Sequence, residues 1–243
     1  MISDTQKHAL IVAHGQPGDP APAEAELARL AVSVAGHLPG WNITSATLAD
    51  PDALARAVNV AKGFVYPMFI ADGWFTATHL PARLSAAGGA DWHILSPFGL
   101  DPRVQELAVA IAKDATLGQA EPQVLLAAHG SFRSDAPSAV AYAMVEKLQS
   151  AGIRRVETGF IDQSPRIVDV ARTFGPEAVC LPFFAAKGGH VITDLPEALA
   201  EAGFTGQVLP PLGLDCRVPG LIADALQTAA NHAAAPLSAA TFG

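Results

Sequence analysis

The sequence predicts an α/β protein built from two similar tandem domains, each a mainly four-stranded parallel sheet with helices on both faces. Three observations support this fold: short apolar runs alternate with segments of helical periodicity, the second half of the chain repeats the first, and a polar connection separates the halves. Apolar runs of this length between helices are typical of parallel strands that are covered on both sides.

Each half contains four predicted strands. They cover residues 9–13, 42–48, 63–69 and 92–95 in the first half, and 124–128, 156–161, 178–184 and 207–209 in the second. The clearest predicted helix follows the first strand of the second half, where Val140, Met144 and Leu148 recur at helical spacing on one face.

The two halves are diverged copies of one unit. "LIVAHGQPGDP" from residue 10 and "LLAAHGSFRSD" from residue 125 both end an apolar run in His-Gly, which sets His14 and His129 115 residues apart. Near the ends, "ILSPFGLDPRV" and "VLPPLGLDCRV" match at a spacing of 114. A weaker middle block aligns Leu48 with Phe160. We therefore predict domains at 1–118 and 119–243, joined by the polar segment that begins at residue 114.

The composition excludes several classes of protein. Fifteen Lys and Arg against 23 Asp and Glu give a formal net charge of −8, which argues against a nucleic-acid partner. Residues 1–7 lack the basic and apolar regions of a signal peptide, and no apolar run approaches a membrane span of about 18 residues, so we expect a cytoplasmic protein without a membrane partner.

Cys180 and Cys216 have neither metal-site nor redox-motif spacing, and we expect both to be structural, as small buried side chains.

Two histidines of the second half are predicted to converge. His129 follows the first strand of that half and His190 follows the third, and in a doubly wound strand order of 2-1-3-4 these strands are neighbours. Paired imidazoles at the carboxyl edge of the sheet would form a partial metal site, although a lone histidine there is more often structural. His190 is predicted to lie in a loop before a helix that starts at "DLPE", with Asp194 as its N-cap rather than a proton acceptor.

The first half departs from this pattern. Alignment of "PMFIADGWFTATHLP" with "PFFAAKGGHVITDLP" places Trp74 on Gly189, Phe75 on His190 and His79 on Asp194. The second half is therefore expected to be the working half, with His14 as an auxiliary group or a relic. Trp74 and Phe75 either stack on a planar ligand or fill the core.

The motifs "LLAAHGS", "LPFFAAKGGHVITDLP" and "LGLDCRV" resemble those of the class II chelatases of the CbiX type, and the resemblance covers both halves. These enzymes are the sirohydrochlorin cobaltochelatases and ferrochelatases of cobalamin and sirohaem biosynthesis. The resemblance implies a chelatase-like fold, a tetrapyrrole between the two domains, and insertion of Co²⁺ or Fe²⁺ beside His129 and His190. The metal is then a substrate, and no permanently bound cofactor is expected. A carrier that binds tetrapyrrole or metal without turnover is the alternative.

The residue chemistry agrees with this implication. Neutral imidazole is both a ligand for Co²⁺ or Fe²⁺ and a base near neutral pH, so His129 and His190 are the candidate catalytic and metal-binding residues, with the division of roles left open. The substrate's carboxylates require local donors, for which the candidates are Ser131, Arg133 and Lys187. The remaining candidate contacts to the ring are Gly188, Gly189, Trp74 and His14.

Further expectations concern arginine and the oligomeric state. Arg133 is the only arginine near His129 in sequence, which disfavours phosphoryl transfer through a histidine, and the repeated Arg103 and Arg217 are expected to be structural. Because two fused halves stand in for a homodimer of single halves, we expect a monomer.

Overall fold

The computed structural model describes residues 6–58, 60 and 62–234, and in this part the chain forms two four-stranded parallel sheets. The strands are β1 (Lys7–Ala13), β2 (Trp41–Thr47), β3 (Phe64–Pro67), β4 (His93–Ile94), β5 (Gln123–Ala128), β6 (Arg155–Phe160), β7 (Val179–Pro182) and β8 (Gln207–Val208). The first sheet has the order β2-β1-β3-β4 and the second β6-β5-β7-β8. The predicted fold class and strand order are confirmed in both halves.

The helices repeat as faithfully as the strands. They are α1 (Ala21–His37), α2 (Ala53–Ala57), α3 (Leu80–Ala86), α4 (Pro102–Ala115), α5 (Ala136–Ser150), α6 (Ile167–Ala171), α7 (Leu195–Ala202) and α8 (Val218–Ala234). A π-helical turn precedes α3 at Phe75–His79 and α7 at His190–Asp194, and a 3₁₀ turn precedes α4 at Phe98–Leu100 and α8 at Leu212–Leu214. The polar segment between α4 and β5 connects the two halves.

Side chains of the central strands alternate between two apolar layers. In β1, Ile11 points into a core between the two sheets, whereas Leu10 and Val12 point into an outer core under α2 and α3. In β5, Leu126 and Leu125 divide in the same way. Each fully buried side chain of this kind contributes about 1.5–3 kcal/mol to folding. Burial on both faces explains why these strands read as continuous apolar runs.

The last helix of each half crosses to the other half. Helix α4 packs against α5 and β7, and α8 packs against α1 and β3. The core between the sheets therefore contains buried residues from both halves, including Ile11, Val104, Leu126 and Leu226. The two sheets share one apolar core.

The weak middle block of the repeat was misaligned by one residue. The amide of Leu48 donates to the carbonyl of Ala13, and the amide of Ile161 donates to that of Ala128, so Leu48 is equivalent to Ile161 and not to Phe160. The register of β2 on β1 and of β6 on β5 determines this equivalence, since a shift of one residue would exchange the two faces of the strand.

The two repeated arginines both form ion pairs, whereas the two cysteines differ in burial. Arg103 pairs with the buried Asp101, and Arg217 pairs with Asp215, each at the start of a helix, which fits a structural role. Cys180 is buried in β7, but Cys216 is exposed between a 3₁₀ turn and α8, so the burial expected for Cys216 was wrong.

The segment for which no signal peptide was predicted lies mostly outside the described residues, since the description begins at residue 6. Within the described part of the chain, no helix has the length and apolar character needed to cross a bilayer.

Candidate functional site

His129 lies at the carboxyl edge of the second sheet, directly after β5. Its Nδ1 lies 2.8 Å from the carbonyl oxygen of Gly130 and 3.5 Å from Oδ2 of Asp162. A carbonyl oxygen only accepts, so Nδ1 carries the proton and donates to it. The positive φ of Gly130, 71°, bends the backbone so that this carbonyl reaches the ring. Nε2 of His129 is left with a free lone pair.

His190 begins the π-helical turn that leads into α7. The amide of Leu195 donates to the carbonyl of His190, five residues earlier, which widens the turn. The Nδ1 atom of His190 lies 2.5 Å from Oδ2 of Asp194 and donates to this carboxylate. Nε2 of His190 therefore also presents a lone pair.

Two predictions about this segment were wrong. His190 is part of the helical turn and not of a loop before it, and Asp194 has helical backbone angles (φ −68°, ψ −39°) and makes no capping hydrogen bond. The carboxylate of Asp194 is engaged by His190, one turn earlier, so it does not reach the free amides of α7. What the structure shows for Asp194 is a hydrogen-bond acceptor for His190, and its role as a proton acceptor stays untested.

The structure brings the two imidazoles together. The ring centroids of His129 and His190 are 4.2 Å apart, and the rings are nearly perpendicular at 84°. This proximity follows from the pairing of β5 with β7, which places the segments after them side by side. The side chains are 40% and 44% exposed, so both remain accessible to a ligand. Within the described residues, no third His, Cys, Asp or Glu completes a metal-binding group.

Two carboxylates lie beside the pair: Asp162 was missed from the sequence, and Asp194 was considered there but assigned as an N-cap. Asp162 follows β6, and its amide donates to the carbonyl of His129, while Asp194 lies four residues after His190. The second carried a usable signal, because a spacing of four on a helical turn places the two side chains on one face. The first had no such signal, since its proximity depends on the pairing of β6 with β5.

An open cavity of about 360 Å³ lies behind these carboxylates. Asp162, Asp194, Glu197 and Glu201 contribute acidic groups to its wall, and Arg166 is its only basic residue. A polyanionic ligand would be repelled from this side of the histidines.

The predicted donors lie on the two loops that carry the histidines. The amide of Ser131 donates to the side chain of Gln163, and Ser131 Oγ accepts from the amide of Arg133. Arg133 and Lys187 are exposed, and among the described residues neither forms an ion pair. Both cations are thus available to a ligand.

The glycines before His190 have no structural requirement in the chain itself. A Cβ atom added at Gly188 or Gly189 would meet nothing within 4 Å, and neither residue has a positive φ. Turn formation therefore does not demand glycine here. A smooth backbone surface beside the histidines is what these residues provide.

Two exposed apolar side chains flank the pair and were also missed. Phe132 is 78% exposed, three residues after His129, and Ile192 is 57% exposed, two residues after His190. Exposed apolar side chains grouped around polar functional groups often mark a binding surface. The sequence gave little sign of this exposure, because both residues are of types usually found in a core.

The first half keeps the frame of the site and changes its side chains. Nδ1 of His14 lies 2.8 Å from the carbonyl oxygen of Gly15, as in the second half, and Phe75 takes the place of His190 at a ring distance of 4.5 Å and an angle of 86°. The amide of Ala49 donates to the carbonyl of His14, so Ala49 occupies the place of Asp162.

The aromatic residues of the first half do not fill the core. Trp74 is 60% exposed and stacks on His79, which stands in the place of Asp194, and Phe75 is 36% exposed. Of the two alternatives left open for these side chains, filling the core is therefore excluded, and stacking on a planar ligand stays a prediction. Of the four ionisable groups in the second-half site, only His129 has an identical counterpart in the first half, which is His14.

Comparisons with known proteins place the chain in a family. The CbiX family model matches residues 123–229, the half that holds the histidine pair. A curated relative, a probable sirohydrochlorin cobaltochelatase from Halobacterium salinarum, is 26% identical over 171 residues, and the match spans 58% of each chain. SirB from Bacillus subtilis, solved with Fe³⁺, is 15% identical with a TM-score of 0.77 over 94% of this chain and 98% of SirB, which shows a shared fold.

A further solved structure is similar over nearly the whole length. It is described as CbiX, the terminal enzyme for biosynthesis of siroheme in denitrifying bacteria, and it is 44% identical to this chain with a TM-score of 0.84. The match covers 92% of this chain and 99% of that structure. On this likeness, and with the histidine pair in the half that the family model matches, the chain belongs to the CbiX family.

Proposed function

We propose that this protein inserts a divalent metal ion, Co²⁺ or Fe²⁺, into a sirohydrochlorin-type tetrapyrrole, as a sirohydrochlorin chelatase of cobalamin or sirohaem biosynthesis. The observation that carries the proposal is the pair His129 and His190, in which both Nδ1 atoms are engaged and both Nε2 atoms are free. The family relationship supports it, since similar proteins are described as a siroheme enzyme and a probable cobaltochelatase.

An incomplete ligand set suits a metal that must be released. Two imidazoles supply borderline ligands for Co²⁺ or Fe²⁺ and leave the other coordination positions to water or to the ring nitrogens of the substrate. A closed site of four protein ligands would retain the ion instead. His129 and His190 would hold the incoming ion weakly enough to pass it on.

Insertion also requires that two protons leave the ring. The metal-free macrocycle carries two N–H groups, and both protons depart as the dication enters, so the charge of the ring is preserved. A neutral imidazole accepts a proton through Nε2, the atom that His129 and His190 expose. Each histidine is thus a candidate for both tasks, as metal ligand and as base.

The substrate is proposed to lie on the side of the histidines away from the acidic cavity. Its carboxylates would be met by Arg133 and Lys187, with Ser131 as a neutral donor. Gly188 and Gly189 would let the flat ring approach the backbone. Phe132 and Ile192 would cover apolar parts of the ring, since both are exposed beside the pair.

The remaining parts of the proposal concern the state of the protein. The metal is a substrate, and we propose no permanently bound cofactor. We also propose a cytoplasmic monomer whose partners are the tetrapyrrole and the metal ion, with no nucleic-acid or membrane partner. His14 and Trp74 are proposed as further contacts to the tetrapyrrole.

The test is anaerobic incubation of the protein with metal-free sirohydrochlorin and Co²⁺, Fe²⁺ or Ni²⁺ in turn, followed by absorption over many turnovers. We expect turnover with Co²⁺ or Fe²⁺ and its loss, by at least about 100-fold, in His129→Ala and His190→Ala. His37→Ala is the matched control, because His37 is exposed at the end of α1, towards the opposite edge of the sheet. Stoichiometric binding without turnover would instead identify a carrier, and full activity in both histidine variants would exclude this site.

A further inference from the structure

Five aromatic rings lie together at the edge of the first sheet, and we call them the aromatic cluster. The ring of Trp74 stacks on His79 at 4.6 Å and 21°, and Phe75 meets His14 edge-on at 4.5 Å. Phe69 stacks on Phe75 at 6.3 Å and 21°, and Trp74 meets Phe75 edge-on at 5.1 Å. The cluster is one connected set of rings.

The cluster occupies the frame that holds the histidine pair in the second half. Gly15 has a φ of 75° where Gly130 has 71°, and the π-helical turn recurs at Phe75–His79. The amide of Leu80 donates to the carbonyl of Phe75, as the amide of Leu195 does to that of His190. The backbone frame is preserved, so the two edges differ in the side chains that this frame carries.

The substitutions replace potential metal ligands of the second-half site by aromatic side chains. Phe75 stands in the place of the second imidazole, Ala49 in that of one carboxylate and His79 in that of the other. Two adjacent imidazoles with carboxylate partners are therefore replaced by His14 against Phe75 and His79 against Trp74, while the carboxylate of Asp72 is bonded to Thr76. Aromatic area has been gained, because Trp74 stands where the second half has Gly189. A planar conjugated ligand gains most from such a surface.

The cluster is exposed and already ordered. Trp74 is 60% and Phe75 36% exposed, yet each is held by a neighbouring ring. The start of the turn is fixed as well, since the amide of Gly73 donates to Thr76 Oγ1 at 2.8 Å and the hydroxyl of Thr76 donates to Asp72. A preordered aromatic surface loses little conformational entropy when a ligand covers it.

We propose that the aromatic cluster is a stacking site for the conjugated ring of a tetrapyrrole, which binds the ring and does not handle the metal. This inference rests on the proposed function and assigns a division of labour: ring binding at the edge of the first half, metal chemistry at the edge of the second. Trp74 is the central residue, because it has the largest exposed ring and is supported from behind by His79.

The first test measures ring binding without chemistry. The dissociation constant for metal-free sirohydrochlorin is obtained anaerobically from the ligand's own absorption, in the wild type, Trp74→Ala and Trp74→Phe. Loss of one aromatic contact is expected to weaken binding about two- to tenfold in Trp74→Ala, whereas Trp74→Phe stays within about twofold of the wild type. Leu117→Ala is the matched control for loss of an exposed apolar side chain, since Leu117 is 87% exposed in the connection between the halves.

The second test separates binding from catalysis. In steady-state chelation, Trp74→Ala is expected to raise KM for the tetrapyrrole by about the same factor and to leave kcat and the affinity for Co²⁺ unchanged within about twofold. Direct contact also predicts that the ligand quenches the fluorescence of Trp74. The contribution of Trp74 is the difference in quenching between the wild type and Trp74→Phe.

The outcomes separate this inference from the proposed function. If the wild type binds no sirohydrochlorin, the proposed function fails. If the wild type binds and turns over but Trp74→Ala binds as tightly, or Trp74 is not quenched, the proposed function stands and the stacking site is excluded.

Discussion

Each imidazole of the histidine pair has its tautomer fixed by an acceptor close by in sequence. His129 donates from Nδ1 to the carbonyl of its own neighbour, Gly130, and His190 donates to the carboxylate of Asp194. Both arrangements expose Nε2. The hydrogen-bond acceptor of His129 is a backbone carbonyl, with the carboxylate of Asp162 at 3.5 Å, whereas the acceptor of His190 is itself a carboxylate. Carboxylate partners of this kind orient a histidine and strengthen it as a ligand.

Substitution of Asp194 should therefore weaken metal handling through His190. In Asp194→Ala, we expect Co²⁺ affinity and turnover to fall about 10- to 100-fold, and in Asp194→Asn, which keeps an oxygen acceptor, the fall should be smaller. Calorimetric Co²⁺ binding and initial rates of chelation measure the two effects. Glu197→Ala changes an exposed carboxylate one turn further along and should have little effect. Unchanged Co²⁺ affinity in Asp194→Ala would show that the hydrogen bond does not position the ring.

The two cysteines differ in a way that chemistry can detect. Burial raises the pKa of the Cys180 thiol to about 12, because the thiolate would lose its hydration, so almost no reactive thiolate forms at pH 8. Cys216 is exposed. We expect a thiol reagent at pH 8 to modify one cysteine per native chain and two after unfolding in guanidinium, with Cys216→Ser reducing the native value to zero. Rapid modification of both thiols in the native protein would contradict the burial of Cys180.

At this scale the sequence predicted the histidines and not their partners. His129 and His190 could be placed because both follow strands that are neighbours in a doubly wound sheet. Asp194 was misassigned because an aspartate before a helix can be an N-cap or the partner of a histidine four residues earlier, and the sequence is the same in both cases. The hydrogen bond from Leu195 to His190, which widens the turn, cannot be recognised from the amino-acid sequence.

Among the elements, the 3₁₀ turn at Leu212–Leu214 supports the loop that leads to His190. The amide of Gly213 donates to the carbonyl of Phe184 at 2.9 Å, and a Cβ atom at Gly213 would collide with the backbone oxygen of Ala185. Gly99 has the same relation to Phe69 and Ile70 in the first half. The repeated "GLD" was visible in the sequence, but its reason is this close backbone contact, which no local pattern encodes.

The two glycines form a matched pair of test sites. Gly213→Ala and Gly99→Ala should each cost about 1–3 kcal/mol of unfolding free energy, because backbone must move to admit the methyl group. Only Gly213→Ala should also lower kcat, since it displaces the loop before His190. Urea unfolding and chelation rates at a temperature where both variants are folded give the comparison. Equal loss of kcat in the two variants would refute a specific supporting role for Gly213.

The whole molecule is held together by the crossing of its last helices. Helix α8 covers the sheet of the first half and α4 packs on that of the second, and buried residues of both halves share the central core. The strand order and helix positions were predictable from local periodicity and the repeat. The crossing of the last helices could not be predicted, because each half has enough apolar helices to cover its own sheet. No local sequence pattern indicates which of the two sheets a helix will cover.

Separation of the halves should consequently expose apolar surface on both. We expect residues 1–118 and 119–243, expressed alone, to lack cooperative urea unfolding and to aggregate, because each retains a helix whose packing surface is on the other piece. Coexpression of the two pieces should restore a complex of native size with chelatase activity. Circular dichroism measures the unfolding of each piece, and size-exclusion chromatography measures aggregation and complex formation. Cooperative unfolding of the isolated second half would show that its core is stable without the first half.

The difference between Phe75 and His190 has a consequence for how such a protein can change. In an assembly of two identical subunits, one mutation alters both edges at once, so a phenylalanine at this position would remove both metal-handling pairs together. Here the two copies lie in one chain, joined by the link at residues 116–122, so the edge of the first half can differ from the edge of the second. Two identical subunits of a homodimer could not differ in this way.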